Sequence, residues 1–271
     1  AVLLGSDNGG TVTPTDGSVT SAKLAYPFVV NEDGAAASDF RVESDSNTHM
    51  LFVDAGNDKI GINTSSPAKP FHISSADNQP LRVESTDAYS GVELKDNGAS
   101  TLPPLISGLS DGFKIYAGHG SSRPEVMAID STGAVTKPLQ PAFQVKLASA
   151  QAISASTNTT LAFATEIFDQ NADFASNTFT APVTGRYLLT YGIYLLNVPT
   201  GAPLVQAEIK ASNRDHYNAI SPEAYAAIQD YTNLNQTTVM DMDANDTVYI
   251  NIVYTGGSGV SLDVNTFFAG C

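Results

Sequence analysis

Residues 177–193 read NTFTAPVTGRYLLTYGI: a turn, a proline-containing entry, then a strand too apolar to stand in water. Alternation from Arg186 puts Tyr187, Leu189, Tyr191, Ile193 and Leu195 on one face and Arg186, Leu188, Thr190, Gly192 and Tyr194 on the other, which is strand period with aromatic and branched residues. Both faces carry large apolar groups. A strand with one solvated face alternates apolar with polar, so this one needs two covers: a facing sheet on one side, and a loop or a partner subunit on the other. A partner subunit is the expected second cover. Pro182, lacking an N–H, belongs at a strand start or edge, and Gly185 is expected to give a turn over Val183, Thr184 and Gly185 its freedom in φ.

Working outward, Phe168-Asp169, Phe179-Thr180-Ala181-Pro182, Gly185, Tyr187, Tyr191, Asp246-Thr247-Val248-Tyr249-Ile250 and Asn265-Thr266-Phe267-Phe268 resemble in order and spacing the globular head of the complement and tumour necrosis factor-like family. The resemblance covers the last half of the chain. It implies a ten-stranded jelly roll that forms tight homotrimers and carries its C-terminal strand inside the sandwich. On this resemblance Tyr187, Leu188, Leu189, Tyr191, Tyr194 and Phe267 are expected in the trimer interface or the core. Two departures stand out. Ala244-Asn245-Asp246 replaces the glycine usual before the aspartate, and residues 212–235 look like an insertion.

Composition excludes several function classes. The 271 residues carry 13 Lys and Arg against 28 Asp and Glu, a net charge of −15, and residues 146–271 hold 4 of the basic and 11 of the acidic groups. No window clusters the cations that phosphate backbones require, so no nucleic-acid partner is expected. No run reaches the ~18–20 apolar residues that span a bilayer, so no membrane insertion is expected. The single cysteine, Cys271, permits no intrachain disulfide, which leaves packing and assembly to hold the fold. The start, AVLLG, lacks a signal peptide's basic region and reads as a boundary within a longer protein.

Residues 1–29 are expected to form an extended linker, since residues 9–25, GGTVTPTDGSVTSAKLA, are rich in Gly, Thr, Ser and Pro. Residues 30–140 read as a β-hairpin stalk. Residues 39–44, DFRVES, echo 41 positions later as residues 80–85, PLRVES; residues 50–56, MLFVDAG, echo as residues 126–133, VMAIDSTG. Further strands are expected over residues 91–94 and 113–117. Such short hairpins have too little apolar face to stand alone, and three intertwined copies would complete one another. The pattern carried by Phe52-Val53-Asp54, Ile60-Gly61-Ile62, Thr64 and Pro67 is similar to stalk segments of tail fibre and tail spike proteins of tailed bacteriophages. Residues 141–271 would then be the knob. The fold class expected is all-β: an intertwined trimeric stalk followed by a jelly-roll β-sandwich.

Catalytic chemistry has little support. His49, His72, His119 and His216 are scattered, with no neighbouring nucleophile motif and no metal-ligand spacing. Residues 241–246, DMDAND, alternate oxygen ligands but lack the glycine and downstream glutamate of a Ca²⁺ loop, and a turn is the simpler reading. Paired carboxylates for glycan cleavage stay open, although the absence of Trp argues against a deep sugar cleft. Residues 255–259, TGGSG, are expected to form a hairpin loop at an exposed tip. Residues 221–229 carry an N-cap serine and Pro222 and are expected to hold a helical turn.

The sequence therefore predicts a non-enzymatic, cofactor-free virion protein. Its trimeric knob would bind a host surface glycan or outer-membrane protein, and its N-terminal side would join other phage tail proteins. Tyr217, Tyr225, Tyr231, Gly257 and Ser258 are the candidate receptor contacts, although the tyrosines could equally pack a loop against its own sandwich. A purely architectural fibre and a glycan-cleaving spike are the alternatives.

Overall fold

The computed structural model describes residues 39–98, 102–109, 112–118 and 121–271. The linker expectation over residues 1–29, the start of the stalk and His119 lie outside them. The chain divides between Val83 and Glu84 into two units.

In the first unit β1 (Phe40–Val42), β2 (Leu51–Asp54), β3 (Lys59–Ile62) and β4 (Phe71–Ile73) make one sheet in that order, antiparallel except for the parallel pair β3 and β4. The fibre-like motif has a local explanation here. Asp54 accepts hydrogen bonds from the backbone and side chain of Asn57 to close the β2–β3 turn, Phe52 and Pro67 are buried, and Gly61 lies so close to Thr64 that a side chain would not fit. The first echo forms β1, but among the described residues its repeat, residues 80–85, lies in no strand, and Leu81 and Val83 are exposed.

The second unit opens with an antiparallel meander of β5 (Tyr89–Glu93), β6 (Leu105–Leu109), β7 (Gly112–Tyr116), β8 (Glu125–Ile129) and β9 (Val135–Thr136). The β8–β9 turn is organised by Asp130, whose Oδ1 accepts from Thr132 N, Thr132 Oγ1 and Ala134 N. These bonds hold its carboxyl below its ordinary pKa, the Thr132 hydroxyl contributing most.

The head follows. It comprises β10 (Ala142–Lys146), β11 (Gln151–Ala152), β12 (Thr159–Thr160), β13 (Thr165–Gln170), β14 (Phe174–Ala175), β15 (Thr178–Thr180), β16 (Gly185–Val198), β17 (Leu204–Ala211), β18 (Asp215–Ile220), β19 (Gln229–Met242), β20 (Thr247–Thr255), β21 (Ser261–Leu262) and β22 (Phe267–Gly270). These number thirteen rather than ten because several are two-residue pairings. In sheet I, β16 is central: β19 runs along one side for its whole length, while β22 and β21 share the other, with β10 and β13 beyond β22 and β11 beyond β21. The C-terminal strand thus lies inside the sandwich, between β16 and β10. In sheet II, β20 is central between β17, with β18 beyond it, and the short β15 and β12.

The opening stretch now has a structural account. Tyr187, Leu189, Tyr191, Ile193 and Leu195 are all buried and face sheet II's Val205, Ala207, Ile209, Val248, Ile250, Ile252 and Tyr254 within one apolar core. An aromatic group closes one end, Phe143 stacking on Phe179 at 4.7 Å and meeting Phe268 edge-on at 5.0 Å between ring centres. Burial pushes the Tyr191 phenol far above its ordinary range, and its hydroxyl donates to Gln236 Oε1. Two turn expectations need correction. Gly185 is the first residue of β16 and takes no left-handed conformation; the bend at residues 182–184 is fixed instead by Tyr187, whose hydroxyl donates to Val183 O at 2.6 Å. Residues 255–259 do not close a hairpin, since β20 and β21 belong to different sheets. Gly256 and Gly257, both at φ +75°, turn the chain from sheet II into sheet I.

Candidate functional site

The strand registers sort every outward side chain of the head onto one of two faces. On sheet I the outer positions of β16 are Arg186, Leu188, Thr190, Gly192, Tyr194 and Leu196, paired with Asp241, Val239, Thr237, Asn235, Asn233 and Tyr231 of β19. Phe267 and Ala269 of β22 and Gln144 and Lys146 of β10 continue the surface. Beyond the Arg186–Asp241 register only Lys146 carries charge. Leu188 is 44 %, Val239 59 %, Tyr231 74 % and Phe168 49 % exposed in the single chain. Gly192 is buried because the Phe267 ring lies directly on it, and the Thr190 and Thr237 hydroxyls bond each other at 2.8 Å. The expectations for this strand divide accordingly. Tyr187, Leu189 and Tyr191 lie in the protomer's own core; Leu188 and Tyr194 point outward; Phe267 is a half-buried part of the outer face.

Sheet II presents the opposite chemistry. Glu208 and Lys210 on β17 lie in register with Asn251 and Tyr249 on β20 and with Tyr217 and Asp215 on β18. Lys210 Nζ reaches Asp215 Oδ2 at 3.1 Å and Glu208 Oε1 at 3.4 Å, and the Asp215 hydrogen bond, ahead of the Glu208 charge, raises the ammonium pKa. Thr160 donates to Asn251 at 2.9 Å. Tyr217 takes part in this network: its hydroxyl lies 3.4 Å from Asp215 Oδ2, and a hydrogen bond to Glu208 leads the causes that raise its pKa.

The two ends of the head also differ. The chain enters beside the bends at residues 182–184, 212–214 and 243–246. There Asp246 accepts from Ser212 Oγ at 2.6 Å, Asn213 Nδ2 at 2.9 Å and Asp243 N at 2.8 Å, with Asn245 left-handed at φ +74°. The Ser212 bond, followed by that of Asp243, lowers its carboxyl pKa. Residues 241–246 are thus a turn whose last carboxylate is engaged by the turn itself, and Asn245 supplies its left-handed residue. At the far end the loops over residues 199–203, 221–228 and 256–260 pack together: Gly257 meets Pro199, and Glu223 N donates to Ala202 O at 3.0 Å. Residues 221–229 hold a single 3-10 turn, Pro222–Ala224; Ser221 makes no side-chain cap, and the chain is extended again at Tyr225. Gly257, Ser258 and Tyr231 are exposed at or next to this end and Tyr225 is half-buried there, whereas Tyr217 sits on the flank of sheet II.

Among the described residues no three His, Cys, Asp or Glu converge as a metal would need. A cleft of about 210 Å³ on the meander is lined by Tyr89, Leu105, Tyr116 and Arg123, but Arg123 already pairs with Glu93 and donates from Nε to Pro103 O at 2.7 Å. The residues that sequence reasoning missed are those of the Glu208–Lys210–Asp215 network. Alternate charged positions within LVQAEIKA were the available signal.

With the geometry in place, residues 142–271 match the family model described as the C1q domain. The match spans the head alone, just under half of the chain, and the fold there is an all-β jelly roll. Among solved structures the chain is similar to the globular domain of zebrafish complement 1qA protein, at 17% identity over 49% of this chain and 96% of that one, with a TM-score of 0.37. It is also similar to murine APRIL, at 12% identity over 48% of this chain and 96% of that one, with a TM-score of 0.34. Among curated proteins nothing matches the chain.

Proposed function

We propose that the chain is a homotrimeric attachment fibre of a tailed phage virion, whose C1q-type head binds a host surface glycan or outer-membrane protein. The observation that carries this reading is the division of polarity on the head. Sheet I offers a broad, nearly uncharged outer face on which copies of a chain of net charge −15 can meet, while sheet II's outer face is charged and internally satisfied. Assembly through sheet I leaves the far-end loops free. Three copies of Tyr225, Gly257 and Ser258 would then face one direction, so weak contacts with a repeated surface polymer add through effective concentration, while Tyr231, on the outer face of sheet I, borders the assembly surface. The likeness of residues 39–67 to phage fibre stalks supports the virion context, and other tail proteins would be reached through the N-terminal side. On this reading the protein performs no catalysis.

The test is made on the whole chain. Light scattering gives three chains per particle, and the trimer slows phage adsorption when added to host cells beforehand. Tyr225→Ala with Ser258→Arg abolishes that competition and leaves the mass unchanged. A monomer at concentrations well above those of assembly refutes the trimer, and a trimer that neither binds cells nor slows adsorption makes the fibre architectural.

A further inference from the structure

The meander β5–β9 has its faces inverted. Registers Val92–Ile106–Ile115–Met127 and Ser90–Gly108–Phe113–Ile129–Val135 gather nine residues on one face, with a single hydroxyl and no charge among them. This face is bare: Val92 is 45 %, Ile106 37 %, Phe113 39 % and Val135 54 % exposed. The opposite face carries the Lys114–Glu125 pair at 2.5 Å and the Arg123–Glu93 pair. There, among the charges, sit the buried residues Leu105, Ser107 and Ala128. A sheet that covers its charged face and bares its apolar one is incomplete as a single chain.

We propose that the uncharged meander face closes on the same face of two further copies of this chain, a second assembly surface that deepens the trimer reading given above and rests on it. Two observations favour a copy over any other occupant. The first is charge: copies carrying −15 repel across most surfaces, and this face offers neither repulsion nor the charged groups that would steer a different partner. The second is reach. Only residues 137–141 separate β9 from β10, a span of at most about 20 Å, and Gln170 Nε2 pins that span to the head by donating to the carbonyls of Lys137, Pro138 and Gln140. Heads joined about an axis therefore hold three meanders at an effective concentration on the order of millimolar.

The test uses the full chain with Cys271→Ser, adding one cysteine at a time. Under mild oxidation Phe113→Cys yields disulfide-linked pairs, and Lys114→Cys on the opposite face yields none. Separately, Ile106→Asp raises the concentration at which trimers separate by more than about tenfold. A chain that is trimeric by mass while Phe113→Cys stays unlinked, or links no faster than Lys114→Cys, overturns the meander surface and leaves the head reading standing. A trimer that survives Leu188→Asp while Phe113→Cys links overturns the head surface instead, and a monomeric chain overturns both.

Discussion

Leu188 and Leu189 are adjacent residues of one strand that face opposite ways, so truncating each in turn separates assembly from folding. Leu189 is fully buried, its side chain lying over Gly270. Leu189→Ala should cost about 2–5 kcal/mol of unfolding free energy, the transfer term plus the cavity. Leu188 is 44 % exposed, and its backbone N–H and C=O both pair with Cys271, bonds that alanine keeps. Leu188→Ala should therefore change the stability of a single chain by less than about 0.5 kcal/mol. Full burial of a leucine contributes about 1.5–3 kcal/mol, so the part left bare here is worth about 0.7–1.3 kcal/mol per copy, or about 2–4 kcal/mol over three. That corresponds to a loss in the trimer association constant of roughly 30- to 800-fold. Sedimentation equilibrium across a dilution series reads the association, and urea unfolding of dilute monomer reads the fold. If Leu188→Ala unfolds like Leu189→Ala, or leaves association within about twofold of wild type, sheet I's outer face is not where copies meet.

Other consequences follow from single residues. Burial, with the Asp169 charge second, raises the Asp173 carboxyl pKa, and its Oδ2 is buried without a partner. Since the folded value lies above the unfolded one, stability is fully present below the ordinary carboxylate pKa and falls as pH rises through the folded value. Asp173→Asn should raise the melting temperature at pH 7 and flatten that acid-side slope, and an unchanged slope would show the carboxyl is not its source. Asn245→Ala should cost about 1–2 kcal/mol at its left-handed φ, while Asn245→Gly should be neutral or stabilising; equal denaturant midpoints for the two variants would contradict that account. Gly192→Val must displace the Phe267 ring and should destabilise the head by about 1–3 kcal/mol, with Gly192→Val/Phe267→Ala recovering part of the loss in a double-mutant cycle.

The sandwich was legible where one residue pattern obeyed one rule. The alternation in residues 186–195 sorted the strand into its two sets of side chains, because a strand's side chains can take only two sides, but it did not say which set meets the facing sheet. Legibility failed where a segment's role depends on its neighbours in space. Residues 255–259 looked like a hairpin loop because strands flank them, and nothing local says that those strands belong to different sheets. Residues 80–85 looked like their echo at residues 39–44, but a strand exists only if another accepts its hydrogen bonds. The same blindness hid the split among the tyrosines. Tyr217 is tied to Glu208 and Asp215 by pairings that cross from β18 to β17, a register that composition does not carry.

Acidity and assembly are linked in this chain by where the charges are not. With 28 acidic and 13 basic residues, copies repel on average, and that repulsion acts over about a Debye length, ~8 Å at physiological ionic strength. Contact is favourable only where the surface is both uncharged and apolar, because desolvation there costs little and burial contributes at every square ångström. Among the described residues of the second unit, the Val92–Val135 face of the meander meets that condition and the outside of β16–β19–β22 approaches it, its charge being confined to the Arg186–Asp241 register at one end, and each is set back to back with a surface that carries ion pairs. The charged surfaces therefore do more than keep the protein in solution. On the trimer reading they would fix which faces meet by making every other approach unfavourable, so neutralising Glu208, Asp215 and Glu125 together should leave the fold intact yet yield particles of irregular mass, and a uniform trimer from that variant would show that apolar contact alone sets the register.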